Sequence, residues 1–189
     1  MKLIRTIQSR ELTKESISNL IPRSETQLDE IKENVLKIIE NVKKNGDSAI
    51  VEFSKKFDNV TLKKSEIQVT KEEIEYAFKQ IDKDLLEALK HAKKNLLKFH
   101  EAQLKDEWDL EIEDGVRAGQ IYRPLESVGL YIPGGRAVYP STVLMAASPA
   151  YVAGVKKIII CSPPQENKSV APEILVAAKL FNIEKIYKC

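Results

Sequence analysis

The chain has 189 residues, of which 43% are hydrophobic and 31% charged, and its formal net charge is +2. A chain of this length can bury a core as one domain or two small ones, and its nearly balanced charge gives no indication of a polyanion-binding surface, so nucleic acid is not an expected partner. No leader-like segment opens the chain and the apolar runs are too short to cross a bilayer, which predicts a cytoplasmic protein without a membrane partner.

The first elements are predicted to be an arm and a helix. Residues 1–21 mix apolar and charged residues without a clean period, and we interpret them as an arm with one short helix after Thr13. Ser24 and Gln27 form a capping box that opens the next helix. Apolar residues then recur at three- and four-residue steps, as on one face of a helix. These residues are Leu28, Ile31, Val35, Ile38 and Val42.

The following segment is predicted to contain a second helix, a strand and a third helix. Asp47 is suited to cap the second helix, which should be broken by Asp58 and Asn59. The stretch from Leu62 to Val69 alternates weakly and is a candidate strand. Thr70 and Glu73 form another capping box, so helix should resume there.

A long amphipathic helix is predicted from Asp82, with a lysine-rich outer face. His91 and His100 both fall on it, nine residues apart, and project from nearly opposite sides because each residue turns the helix by about 100°. They cannot share a metal ion within one helix. The sequence contains no HExxH and no CxxC motif, so it predicts no metal site.

A β-hairpin should follow the long helix. Apolar and acidic residues alternate from Trp108 to Ile112, Asp114 and Gly115 form a strong hairpin turn, and alternation returns up to Tyr122. The composition changes after this hairpin. We therefore predict two regions, a helix-rich region over residues 1–122 and a partial α/β domain over residues 123–189.

The second region is predicted to begin with a β-α-β unit. A buried strand over Val128 to Ile132 ends in a turn that contains Gly134 and Gly135, a helix starts near Pro140, and Ile158 to Cys161 form a strand that is apolar on both faces. This pattern predicts the α/β class, with an incomplete Rossmann-like parallel half-domain after the helical region.

The last predicted elements are a helix from about Val170 to Phe181 and a strand from Lys185 to Cys189. A parallel strand with no crossover helix after it leaves the ligand-binding edge of the sheet unfinished. We therefore expect a truncated chain or a fragment.

Two cysteines, Cys161 and Cys189, cannot form a disulfide framework and fit a reducing compartment. Both end predicted strands that would lie side by side. A shared thiol site is one interpretation, and two small, mostly apolar residues are the other.

The glycine turn is the candidate ligand site. Gly134 and Gly135 would let a ligand approach the backbone, and the amino terminus of the next helix favours an anion such as a pyrophosphate. A plain tight turn explains the two glycines about as well. Tyr131 could stack on a nucleotide or bond to it, whereas the pattern alone favours a core aromatic.

Several separated stretches resemble the histidinol dehydrogenase family: VGLYIPGG, YPSTVLMAASPAYVAGVKKIIICSPP, GDSAIVEFSKKFD and FHEAQ. That family oxidises L-histidinol twice with NAD to give L-histidine. The resemblance implies Rossmann-like domains in an intertwined homodimer. It also implies that Tyr131 contacts NAD, and that Gly134 and Gly135 shape the same pocket together with Pro133.

The same resemblance limits what this chain is expected to do. The family's zinc ligands, its catalytic Glu-His pair and its remaining NAD and substrate contacts would follow Cys189, so no catalytic residue and no zinc ligand is assigned here. We expect the chain alone to be inactive and to lack catalytic Zn²⁺. The alternatives are a non-catalytic short paralogue that keeps the fold for assembly, and a nucleotide-binding module without enzymatic activity.

Overall fold

The computed structural model describes residue 13, residues 25–134 and residues 137–189, with the side chains of the first helix from Ile31 onward. The predicted arm with its short helix, the Ser24–Gln27 capping box and Gly135 lie outside the described residues or side chains. The chain divides into two compact units, Met1–Gly46 and Asp47–Cys189.

The first unit contains helix α1, Glu25–Asn45. Two lysines in its last turn, Lys43 and Lys44, suit the negative end of the helix dipole. The helix ends at Gly46, whose φ of 53° is left-handed and whose N–H donates to the carbonyl of Val42 at 2.8 Å. Gly46 therefore closes α1 as the sequence predicts.

The second unit begins with helix α2, Asp47–Phe53, which continues into a π-helical turn over Ser54–Asp58. Asn59 ends this turn in the left-handed region, with φ at 58°. The predicted break at this position is confirmed, because asparagine tolerates that conformation better than most residues.

The predicted strand from Leu62 to Val69 is wrong over most of its length. Residues Lys64–Glu66 form a 3₁₀ turn, because the Glu66 carboxylate accepts a 2.7 Å hydrogen bond from the Lys63 N–H and closes the turn locally. Only Gln68 forms an isolated antiparallel bridge, to Tyr187. A local side-chain bond has thus displaced the extended backbone.

Two capped helices follow, α3 over Lys71–Gln80 and α4 over Lys83–Glu101. The capping box of α3 is confirmed, since Thr70 Oγ1 accepts from the Glu73 N–H at 3.2 Å while the Glu73 carboxylate accepts from the Thr70 N–H at 2.9 Å. Asp82 caps α4 by accepting from the Leu85 N–H at 2.6 Å. Among the described residues, no helix is long and apolar enough to span a bilayer.

The predicted hairpin is present as strands β1, Trp108–Glu113, and β2, Val116–Gln120, which pair antiparallel. Gly115 has the positive φ, 77°, that the turn requires. Every residue of both strands is exposed.

The remainder of the unit consists of a parallel sheet and its connecting helices. Its strands are β3, Ser127–Tyr131, β4, Lys157–Ser162, and β5, Ile186–Lys188, in the order β3-β4-β5. Helix α5, Pro140–Val152, connects β3 to β4, and helix α6, Pro172–Leu180, connects β4 to β5. The α/β class is confirmed.

One face of this sheet is covered and the other is open. Leu130, Ile160 and Ile186 are partners across the three strands, and they belong to the hydrophobic core with α5 and α6. On β3 the alternate residues are exposed, so the prediction of a buried strand holds for one face only. β3 is an edge strand of the sheet, in the order β3-β4-β5.

The predicted division between residues 122 and 123 stays a prediction about domain organisation. Packing within the unit Asp47–Cys189 crosses that position, since α4 contacts α5 and α3 contacts α6. The bridge between Gln68 and Tyr187 crosses it as well.

Candidate functional site

Tyr131 is the last residue of β3, and its side chain is 67% exposed. The next residue, Ile132, is fully buried and donates its N–H to the carbonyl of Cys161 at 2.8 Å. The backbone on both sides of Tyr131 is therefore held in the sheet while its ring faces outward. A core role for Tyr131, which the pattern alone favours, is wrong.

The turn after β3 contains Gly134, which packs against Pro163. A Cβ atom added at Gly134 would lie 2.8 Å from Pro163 Cγ, closer than real Cβ contacts allow. Glycine is thus required for the approach of the two loops that follow β3 and β4. These loops meet at the carboxyl edge of the sheet, where ligands of α/β proteins bind.

Helix α5 begins after this turn, with Pro140 as its first residue. The residue before it, Tyr139, makes no side-chain capping bond, although its carbonyl accepts from the Thr142 N–H at 3.1 Å. The Tyr139 side chain therefore does not cap this end of α5.

The two cysteines come together on the open face of the sheet. Cys161 pairs directly with Tyr187, and Cys189 lies two residues further along, with its N–H donated to the carbonyl of Ser162 at 3.1 Å. Both thiols are free and half-buried, and the Cys189 thiol donates to the carbonyl of Tyr187, the strand partner of Cys161, at 4.0 Å. The interpretation as a shared thiol pair is therefore the one that the structure supports.

The neighbouring Cys189 thiol lowers the pKa of Cys161 to about 7, against the opposing effect of burial. The same interaction, together with burial, raises the pKa of Cys189. One thiolate is therefore stabilised by the other thiol, in an arrangement typical of reactive cysteine pairs.

The histidines of α4 do not meet. His91 contacts the side chain of Asn95 at 3.1 Å, and Nδ1 of His100 contacts Gln103 at 2.7 Å. Within the described ranges, no three His, Cys, Asp or Glu side chains form a group that could hold a metal ion. The described residues therefore do not fit a zinc site.

One polar cluster was not anticipated from the sequence. Lys188, whose side chain is only 5% exposed, forms an ion pair with Glu73 at 2.7 Å, and Ser169 Oγ donates to the same carboxylate at 2.8 Å. This cluster links α3 to β5. The sequence did contain a signal for the burial of Lys188. Residues two apart on a strand lie on the same face, so Lys188 must share a face with the apolar Ile186.

A groove of about 810 Å³ runs along α4, away from this edge of the sheet. Lysines dominate its wall, and Lys93 is engaged there by a 2.5 Å bond to the carbonyl of Leu180. Neither Tyr131 nor the glycine turn lines this groove. We therefore place the candidate site at the carboxyl edge of the sheet, where the loops after β3 and β4 meet.

Comparison with known proteins connects this geometry to one family. The family model described as histidinol dehydrogenase matches residues 21–189. A histidinol dehydrogenase of Streptococcus mutans serotype c is 46% identical over 180 residues, which cover 93% of this chain and 41% of that protein. One from Clostridium acetobutylicum is 45% identical over 187 residues, covering 98% and 43%.

A solved structure agrees with the sequence comparisons. The crystal structure of histidinol dehydrogenase from Elizabethkingia anophelis superposes with a TM-score of 0.80 at 38% identity, covering 84% of this chain and 36% of that one. The chain thus spans about two fifths of the length of the curated relatives that it matches. By its sequence and by its fold, the chain belongs to the histidinol dehydrogenase family.

Proposed function

We propose that this chain supplies one wall of the NAD site of a histidinol dehydrogenase, which oxidises L-histidinol through L-histidinal to L-histidine. The observation that carries the proposal is Tyr131, an exposed aromatic ring at the carboxyl end of a parallel strand in a β-α-β unit. Ligands of such sheets bind at this end. Family membership supplies the identity of the cofactor and the substrate.

The proposed role of Tyr131 is to bind and orient the cofactor. Its ring offers a flat apolar surface and its hydroxyl a hydrogen-bond group, while the buried neighbour Ile132 keeps the backbone from moving away. Gly134, and with it Gly135, is proposed to shape the pocket, with the first turn of α5 available to phosphate oxygens. When bound, NAD supplies the hydride acceptor.

We propose that zinc and the proton-transferring residues belong to parts of the complete enzyme outside this chain. The short span of the match to longer relatives supports this division. The purified chain should then neither oxidise histidinol nor retain stoichiometric zinc after dialysis. NAD-dependent turnover of histidinol by this chain would overturn the division.

A homodimer is the proposed assembly. Trp108, Leu110 and Ile112 on β1 are each more than half exposed, and apolar side chains of α1 are exposed as well. Exposed apolar side chains of this kind, on each unit by itself, favour contact with another subunit. The same surface favours a second candidate function, a non-catalytic assembly module. Self-association in sedimentation without any NAD binding would select that alternative.

Mapping NAD on the labelled chain tests the proposed site. Titration of ¹⁵N-labelled protein with NAD should shift the amide resonances of Tyr131, Ile132 and Cys161, while those of β1 and β2 stay unchanged. Saturating NAD without shifts at the first three residues would contradict the proposal. A cytoplasmic location is proposed together with this function.

A further inference from the structure

The thiol pair lies where small oxidants can reach it. Cys161 and Cys189 lie on the open face of the sheet, and both side chains are half-buried rather than enclosed. The Cys189 N–H is bonded to the carbonyl of Ser162 at 3.1 Å, which holds the end of β5 against β4. Neither the glycine turn nor the proposed cofactor role makes use of this pair.

We propose that Cys161 and Cys189 form a redox-active dithiol, in which Cys161 is oxidised by a peroxide and Cys189 resolves the product into an intramolecular disulfide. This inference is independent of the proposed NAD site. Accessible cysteines next to a resolving thiol are the sites at which such oxidation occurs selectively.

The reaction balances with hydrogen peroxide as the oxidant. The Cys161 thiolate attacks one peroxide oxygen, the O–O bond breaks, and the hydroxide that leaves takes up the proton that Cys161 had released. The product is a sulfenic acid. Cys189 then attacks the Cys161 sulfur, the S–O bond breaks, and the Cys189 proton leaves with the oxygen as water. Two thiols are oxidised by two electrons in total, and one peroxide becomes two waters.

The environment assigns the two roles. Cys161 is the nucleophile because the neighbouring Cys189 lowers its pKa, while the Cys189 thiol itself donates to the carbonyl of Tyr187 at 4.0 Å. The interaction with Cys161 and burial raise the pKa of Cys189, and the negative charge of Asp58, in the π-helical turn, adds to them, so a second thiolate is disfavoured there. Tyr131 and Tyr187 flank Cys161 on the same face of the sheet. Cys189 therefore acts second, as a thiol.

The order of the products follows from the roles of the two cysteines. Cys161 pairs with Tyr187 on β5, and Cys189 lies two residues further along the chain. The sulfenic acid should form first on Cys161, because the thiolate is the group that reacts with the peroxide. The disulfide should follow when Cys189 attacks that sulfur.

Intact-mass spectrometry of the purified chain, treated with hydrogen peroxide in the presence or absence of the sulfenic-acid trap dimedone, tests the pair. Wild type should lose two hydrogens, Cys189→Ser should accumulate the dimedone adduct, and Cys161→Ser should react roughly tenfold more slowly. The wild-type rate should rise with a midpoint near pH 7, the pKa of Cys161.

The controls are alanine variants at Cys161 and Cys189 and a circular dichroism spectrum of each variant. They separate a change in the rate of reaction with peroxide from a change in the fold. Equal rates of thiol loss in folded wild type and Cys161→Ser would overturn the proposal. Disulfides that form only between chains, with none within a chain, would overturn it as well.

Discussion

Tyr131 and Cys161 are direct partners in the parallel register of β3 and β4, so the tyrosine ring and the sulfur lie side by side on the open face of the sheet. The expected role of Tyr131 follows from the family resemblance, whereas the position of Cys161 beside it is known only from the strand register. A group attached to Cys161 would occupy the surface on which a flat ligand stacked against Tyr131 must lie.

Blocking Cys161 should therefore weaken NAD binding. Labelling with methyl methanethiosulfonate adds a small methylthio group to the sulfur and should lower NAD affinity several-fold, because the group takes up space beside the ring. Isothermal titration before and after labelling measures the change, and reduction of the adduct should restore affinity. Cys161→Ser treated with the same reagent is the matched control. Unchanged affinity in fully labelled wild type would show that the ligand lies elsewhere.

Removing Lys188 should destabilise the fold. Its ammonium group is buried against the Glu73 carboxylate at 2.7 Å, so Lys188→Ala leaves a partly buried charge without its partner, at a cost of about 3–5 kcal/mol in the free energy of unfolding. Urea denaturation measures this cost. Lys90→Ala, which breaks the exposed pair with Glu87, is the control and should cost about 1 kcal/mol or less. Equal losses of unfolding free energy in Lys188→Ala and Lys90→Ala would contradict the burial of the Lys188 side chain.

The same cluster predicts loss of stability in acid. Burial alone would raise the pKa of Glu73, but hydrogen bonds from Lys188, Thr70 and Ser169 lower it below the ordinary value of 4.5. The unfolded chain thus binds the proton more readily, so this stabilisation is complete above the ordinary pKa and is lost as pH falls through the lowered one.

Urea midpoints measured from neutral pH down to about pH 3 should therefore fall less steeply in Glu73→Gln than in wild type. Glu184→Gln is the control, since Glu184 is exposed although its pKa is also lowered, mainly by Lys179. If the urea midpoint depends on pH identically in wild type and Glu73→Gln, Glu73 is not a source of the acid sensitivity.

Gly134→Ala should distort the turn next to Tyr131. The added Cβ would lie 2.8 Å from Pro163 Cγ, so the loops after β3 and β4 must separate, at a cost of roughly 1–3 kcal/mol. Thermal unfolding measures the loss, and Pro163→Ala in the same chain should recover part of it. Gly129→Ala is the matched control, because no atom lies within 4 Å of a Cβ there. A larger loss at Gly129 than at Gly134 would contradict this packing.

Local signals predicted much of the fold. The capping box of Thr70 and Glu73, the start of the long helix at Asp82 and the hairpin turn at Gly115 are all found where residue type and spacing place them. Each of these depends on atoms only a few residues apart. Short-range patterns therefore sufficed for the helices and the hairpin.

Long-range pairing was outside the reach of those signals. The inward orientation of Lys188 and the exposure of Tyr131 both depend on which strands are neighbours and which face is covered. The segment from Leu62 to Val69 shows the same limit, since one hydrogen bond to Glu66 outweighs a weak alternation. The candidate site itself came from resemblance, because two glycines and a tyrosine do not specify a ligand.

The affinity of NAD for Tyr131 variants tests the central claim most directly. Tyr131→Ala should bind NAD about five- to a hundredfold more weakly than wild type, since an aromatic stacked on a base contributes roughly 1–3 kcal/mol. Tyr131→Phe should keep most of the affinity, and Tyr76→Ala, which removes an equally exposed tyrosine from α3, should keep all of it. Equal affinity in wild type and Tyr131→Ala, or no binding by either, would contradict the assignment of Tyr131 to the cofactor site.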